Sequence, residues 1–61
     1  MIKIRWRKSS ATYVIYSGRK VYESGFNSED DAGRFLANDV ERGKVDIKNV
    51  KNPLDILKFL T

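Results

Sequence analysis

Met1-Ile2-Lys3-Ile4-Arg5-Trp6-Arg7-Lys8 opens the chain, and its strict alternation decides the fold. Ile2, Ile4 and Trp6 share one parity while Lys3, Arg5 and Arg7 share the other, the period-two pattern of a strand with one buried and one solvated face. Ser9, Ser10 and Ala11 interrupt it. Thr12-Tyr13-Val14-Ile15-Tyr16 then supplies a β-branched and aromatic run suited to a second strand. Ser17-Gly18-Arg19-Lys20 carries turn chemistry, with Gly18 free to take the positive φ of a tight hairpin, and Val21-Tyr22-Glu23-Ser24 returns as a third strand. Residues 1–26 are therefore expected to form a three-stranded antiparallel meander.

Beyond the meander, Asn27 or Ser28 is placed to cap a helix whose first turn, Glu29-Asp30-Asp31, complements the positive end of its dipole. Ala32, Phe35, Leu36 and Val40 recur at helical spacing, and Gly43 stands where a left-handed cap closes a helix, which predicts helix over 28–42. Gly33 inside it requires a close approach of the sheet or leaves the helix locally weak. Residues 44–51 read as loop or as a short fourth strand at Val45-Asp46-Ile47. Asn52-Pro53-Leu54-Asp55 has the pattern of a helix start, so 53–60 is expected as a short C-terminal helix. The fold class is α+β: a three-stranded antiparallel sheet packed on one α-helix, with a possible short fourth strand and a short C-terminal helix. At 61 residues the chain, 1–61, makes one small domain, so little surface is buried that a partner or dimer would add materially to its stability.

A helix covers one face of such a sheet. With Ile2, Ile4 and Trp6 beneath it, Lys3, Arg5 and Arg7 stand on the open side, about 7 Å apart along the strand. A two-residue turn at Gly18-Arg19 leaves either Val14, Tyr16 and Val21 or Tyr13, Ile15 and Tyr22 facing the helix. The first set is expected inward, because the second shares its face with Ser17, Lys20 and Ser24; a bulge at Gly25 is then needed to bring Phe26 under the helix.

Charge is partitioned along the chain. Residues 1–20 hold Lys3, Arg5, Arg7, Lys8, Arg19 and Lys20 with no acid, residues 21–41 hold six acids against Arg34, and the whole is +4. A row of cations with Tyr13 and Tyr22 alongside suits phosphate oxygens and bases, which marks Lys3, Arg5, Arg7, Lys8, Tyr13, Arg19, Lys20 and Tyr22 as nucleic-acid-binding candidates. The partner expected is double-stranded DNA or another nucleic acid. Without Cys or His the chain has no thiolate, imidazole or zinc-finger chemistry of its own. Glu29-Asp30-Asp31 diverge in direction and the helix dipole accounts for them, and no glycine-rich phosphate loop occurs. No enzyme activity, cofactor or metal is expected. The longest apolar run is Tyr13–Tyr16, so neither a membrane span nor a signal segment is read, and a cytoplasmic location follows as the default.

Tyr13-Val14-Ile15-Tyr16-Ser17-Gly18-Arg19-Lys20-Val21-Tyr22, followed by Gly25-Phe26-Asn27-Ser28, Asp31-Ala32 and Phe35-Leu36, resembles the amino-terminal arm-site-binding domain of phage and transposon tyrosine integrases. The resemblance covers about half the chain and leaves residues 44–61 outside it. It implies a three-stranded sheet and one helix, with the open face of the sheet entering a DNA major groove. It also implies DNA contacts from Arg5 and Arg7 on the first strand and from Lys20, Tyr22 and Ser24 on the third. The competing expectation is a small protein-interaction module, a phage-type inhibitor or regulator, using the acidic helix or the apolar C-terminal helix. Leu54, Leu57 and Leu60 could then also mediate a homodimer.

Overall fold

A computed structural model describes residues 1–60. In chain order it contains β1 (Ile2–Arg7), β2 (Thr12–Ser17), β3 (Lys20–Phe26), α1 (Glu29–Glu41), a 3₁₀ turn (Ile47–Asn49) and α2 (Pro53–Leu57). The strands form one antiparallel sheet in the order β1-β2-β3. Helix α1 lies across one face of it, as the α+β reading expects.

The first hairpin sets every face. A four-residue loop, Lys8–Ala11, closes Arg7 against Thr12, with the amides of Ser10 and Ala11 donating to the carbonyls of Arg7 and Lys8 at 3.3 Å. From that closure Trp6 faces Tyr13, Ile4 faces Ile15 and Ile2 faces Ser17. Directly paired residues share a side, so the isoleucines that pack on the helix take Tyr13 and Ile15 with them. The inward set is thus Tyr13, Ile15 and Tyr22, and the expected Val14, Tyr16 and Val21 lie on the open face instead. Counting from the second hairpin alone leaves this parity undetermined.

Strand β3 follows through two irregularities. The Gly18-Arg19 turn pairs Ser17 with Lys20 and Tyr16 with Val21, as expected, but Ile15 then meets Glu23, so one extra residue is accommodated and Tyr22 turns toward the helix. A second extra residue precedes Phe26, where Gly25 takes φ +87°. Phe26 is thereby delivered beneath α1, its ring 5.3 Å from that of Phe35.

Ile2, Ile15, Ala32, Leu36, Ala37, Val45, Val50 and Ile56 form the core between sheet and helices. Helix α1 begins where Ser28 Oγ accepts from the Asp31 amide at 3.1 Å, and ends at Gly43, φ +76°. Asp39, which no apolar pattern marks, is buried on its inner side. Its carboxylate accepts from the Tyr22 hydroxyl, and its carbonyl accepts from the amides of Lys44 and Val45 at 2.9 and 3.3 Å.

Val45-Asp46-Ile47 is no fourth strand. Val45 enters the core, while Asp46 caps the 3₁₀ turn through the Lys48 amide at 2.9 Å. The chain then touches the sheet edge by a single parallel bridge, Val50 to Ile2, with the Lys51 amide donating to the Ile2 carbonyl at 2.8 Å. Helix α2 is shorter than the 53–60 expected: it stops at Leu57, and Asn52 sits at its N-cap without a side-chain cap bond. Gly33 is explained by this tail rather than by the sheet. A Cβ there would lie 2.7 Å from Cε2 of Phe59, whose ring rests on the helix at that point.

Candidate nucleic-acid interface

On strand β1 the cations of the alternating segment project from the side that α1 does not cover. Lys3 stands opposite Tyr16, Arg5 opposite Val14 and Arg7 opposite Thr12. Val14 has no exposed surface although the helix lies on the other side. Its neighbours on that face are Arg5 across the strand pair and Thr12 and Tyr16 two residues along. The aliphatic stem of Arg5 is thus placed beside Val14, where long cationic side chains commonly cover apolar surface.

Lys3, Arg5, Arg7 and Lys8 line a shallow depression of about 460 Å³ together with Arg19, Trp6 and Tyr16. The two hairpin ends bring these residues together from opposite ends of the sheet: Lys8 lies in the β1–β2 loop and Arg19 in the β2–β3 turn. Five of the eight expected binding residues therefore share one concave surface. Lys20, paired with Ser17, is exposed at the hairpin end but outside that lining. Tyr13 and Tyr22 are not on it. Tyr13 packs toward the core against Trp6, and Tyr22 reaches Asp39 on α1. Both are corrections to the expected site, and both follow from the register of the first hairpin.

Two aromatic members escape the sequence reading. Tyr16 lies on the open face beside Lys3, where the same register places it. Trp6, expected beneath the helix, is 52 % exposed. Its position at the far end of an edge strand carries it past the part of the sheet that α1 covers, and its indole meets Tyr13 edge-on with centroids 5.0 Å apart and planes at 65°. The register could have been counted from the loop between Arg7 and Thr12. The reach of the helix leaves no mark in a local pattern.

Among the described residues none of the depression's five cations is ion-paired, although Lys3 also borders the cleft that Glu29, Asp30 and Asp55 line. The one ion pair among the described residues joins Lys58 to Asp30 at 3.8 Å, with both side chains largely solvated, beside the cleft between β1 and α1. The carboxylate at Asp39 is engaged by Tyr22, whose phenol is held above its ordinary pKa by that hydrogen bond, by partial burial and by the charges of Asp39 and Glu23. A smaller cleft of about 230 Å³ lies between β1, the first turn of α1 and α2, with Ile2, Leu36 and Ile56 among its apolar lining. Among the described residues no helix is long and apolar enough to cross a membrane. Comparison of the chain with models of protein families, with curated proteins and with solved structures finds no match in any of the three.

Proposed function

We propose that the protein binds nucleic acid without catalysis, through the open face of its sheet, with Lys3, Arg5, Arg7, Lys8 and Arg19 on phosphates. The observation that carries this reading is the convergence of five cations on one concavity in which, among the described residues, none is ion-paired. Such a cluster attracts polyanions, and each phosphate it neutralises releases counterions, so binding must weaken steeply as salt is added. The resemblance to integrase arm-site domains implies the same face through Arg5 and Arg7, whereas the Tyr22 it also implies lies on the helix side.

The test is fluorescence anisotropy on labelled duplex DNA of random sequence across a salt series. Wild-type protein is expected to lose affinity linearly in the logarithm of salt concentration. Replacing Arg5 and Arg7 by Gln keeps part of each aliphatic stem, and should lower the magnitude of the slope by about one unit per phosphate contact removed. An affinity indifferent to both salt and these substitutions would reject the reading.

A second reading has one observation in its favour: Leu54 and Leu57 on α2 are 79 % and 46 % exposed, three residues apart and so on neighbouring parts of the helix surface. In it the chain is a protein-binding module or regulator. Sedimentation of the wild type beside Leu54→Ser, Leu57→Ser examines the homodimer form of this idea, which requires the wild type to be larger in solution than the variant.

A further inference from the structure

We propose that the free edge of β1 takes an extended peptide strand that alternates acidic with apolar residues, a fourth strand added to the sheet by another protein. The backbone supplies the first ground. The Met1 carbonyl accepts from the Gly18 amide on the β2 side at 3.1 Å, while the Ile2 carbonyl accepts from the Lys51 amide on the opposite side at 2.8 Å. Antiparallel pairing alternates these directions residue by residue, so the amides and carbonyls of Ile4 and Trp6 point away from β2. Among the described residues none of these four groups has a hydrogen-bond partner. The tail of the chain pairs with the edge at Ile2 alone. The other edge of the sheet is unlike this one: two extra residues break the register of β3 with β2, a device that discourages strand addition, whereas β1 pairs with β2 without interruption over Ile2–Arg7.

Charge complementarity names the occupant. A strand laid along this edge sets its residues alternately beside Lys3, Arg5 and Arg7 on the open face and beside Ile4 and Trp6 on the helix side. Acids suit the first row, in which no cation is ion-paired. On the second side Trp6 is 52 % exposed, and Ile4 borders the cleft of about 230 Å³, where Leu36, Ile56 and Phe59 offer apolar contact. Glu29, Asp30 and Asp55 outnumber Lys3 and Lys58 around that cleft, so an acid directed there would meet like charge. A slip of one residue exchanges the two rows of the added strand, so the contrast between the two sides of β1 fixes its register. A second copy of this chain is a poor occupant, because antiparallel pairing of β1 with β1 through Ile4 and Trp6 brings Lys3, Arg5 and Arg7 against the same three cations. In strand addition of this kind main-chain bonds give affinity and the alternate side chains give selectivity. The edge is formed by backbone groups outside the basic depression, and its role holds with or without nucleic-acid binding by the open face.

Amide hydrogen exchange followed by NMR reads the edge directly, with a peptide of ~10 residues that alternates glutamate and valine as the probe. In the free protein the Ile4 and Trp6 amides should exchange fast and those of Lys3 and Arg5, bonded to β2, slowly; saturating peptide should slow Ile4 and Trp6 by at least about ten-fold. Anisotropy of the labelled peptide should show binding about ten-fold tighter than that of a peptide of the same composition with its glutamates and valines in separate blocks. Arg5→Glu, checked for folding by its thermal midpoint, should weaken binding of the glutamate peptide about ten-fold and strengthen that of an alternating lysine and valine peptide. Absence of binding, equal binding of alternating and block peptides, or binding that leaves the Ile4 and Trp6 amides fast overturns the inference. Protection of those two amides in the free protein that grows with its concentration assigns the edge to a second copy and overturns it too. Random duplex DNA, contacting side chains on the open face, should leave both amides fast, so the nucleic-acid reading stands or falls by its own salt series.

Discussion

Tyr22 and Asp39 join the third strand to the end of α1 through a hydroxyl and a buried carboxylate. Removing the hydroxyl strands the carboxylate, and an unsatisfied buried acceptor costs about 1–3 kcal/mol, more when it is charged. Tyr22→Phe is therefore expected to lower the unfolding free energy by about 1–3 kcal/mol in urea titrations at neutral pH. The pH dependence has a definite sign. The folded phenol holds its proton more tightly than the unfolded one, so its stabilisation is complete below pH ~10 and is lost as pH rises from there through the raised folded value. Lysines titrate in the same region, so the measure is the difference between the two proteins: their stabilities should converge above pH ~10, and parallel curves would show that the phenol's proton is not linked to folding. At Ala11 the local conformation decides. Its φ of +52° places a Cβ in the left-handed region, and Ala11→Gly is expected to gain about 0.5–1 kcal/mol, read as a higher urea midpoint, after allowing for glycine's freer unfolded chain.

Helix α1 and the C-terminal tail are adjusted to each other at one position. Glycine in a helix costs about 1 kcal/mol relative to alanine, yet an alanine Cβ at Gly33 would press into the Phe59 ring at 2.7 Å. Gly33→Ala alone should thus lose stability, while Gly33→Ala combined with Phe59→Ala should be about 1 kcal/mol more stable than Phe59→Ala alone, and a double-mutant cycle in urea measures the coupling. Additive effects would mean that the ring does not rest there. Elements whose determinants are local were legible in the sequence: β1 from its alternation, the Gly18-Arg19 turn, the Ser28 cap, the Gly43 stop. The faces of β2 and β3 were not, because a bulge reverses parity at the cost of one residue and Tyr13-Val14-Ile15-Tyr16 is apolar on both sides. The Lys8–Ala11 loop held the answer, since closing Arg7 on Thr12 forces Ile15 to the side of Ile4. Gly33 was unreadable for a different reason: its partner is 26 positions away in the chain.

Taken as a whole, the molecule sorts its charge by layer. Five of the six cations of the first 20 residues line the open-face depression, while most acids of the middle segment are carried by α1 behind the sheet. Asp31 and Glu41, at opposite ends of that helix, are exposed and line neither the basic depression nor the cleft beside β1. From the open face they are screened by the thickness of the sheet and by salt, whose Debye length is about 8 Å at physiological ionic strength. If the sheet face binds the polyanion, neutralising both as Asp31→Asn, Glu41→Gln should shift affinity for a nucleic-acid probe by less than about two-fold at that ionic strength and by more only when salt is lowered. The same pair has offsetting effects on folding, since an acid favours the first turn of a helix and opposes the last, each by about 0.3–1 kcal/mol, so thermal stability should change little. A ten-fold rise in affinity with an unchanged thermal midpoint would instead place the polyanion on the helix side and return the acidic face to the centre of the argument.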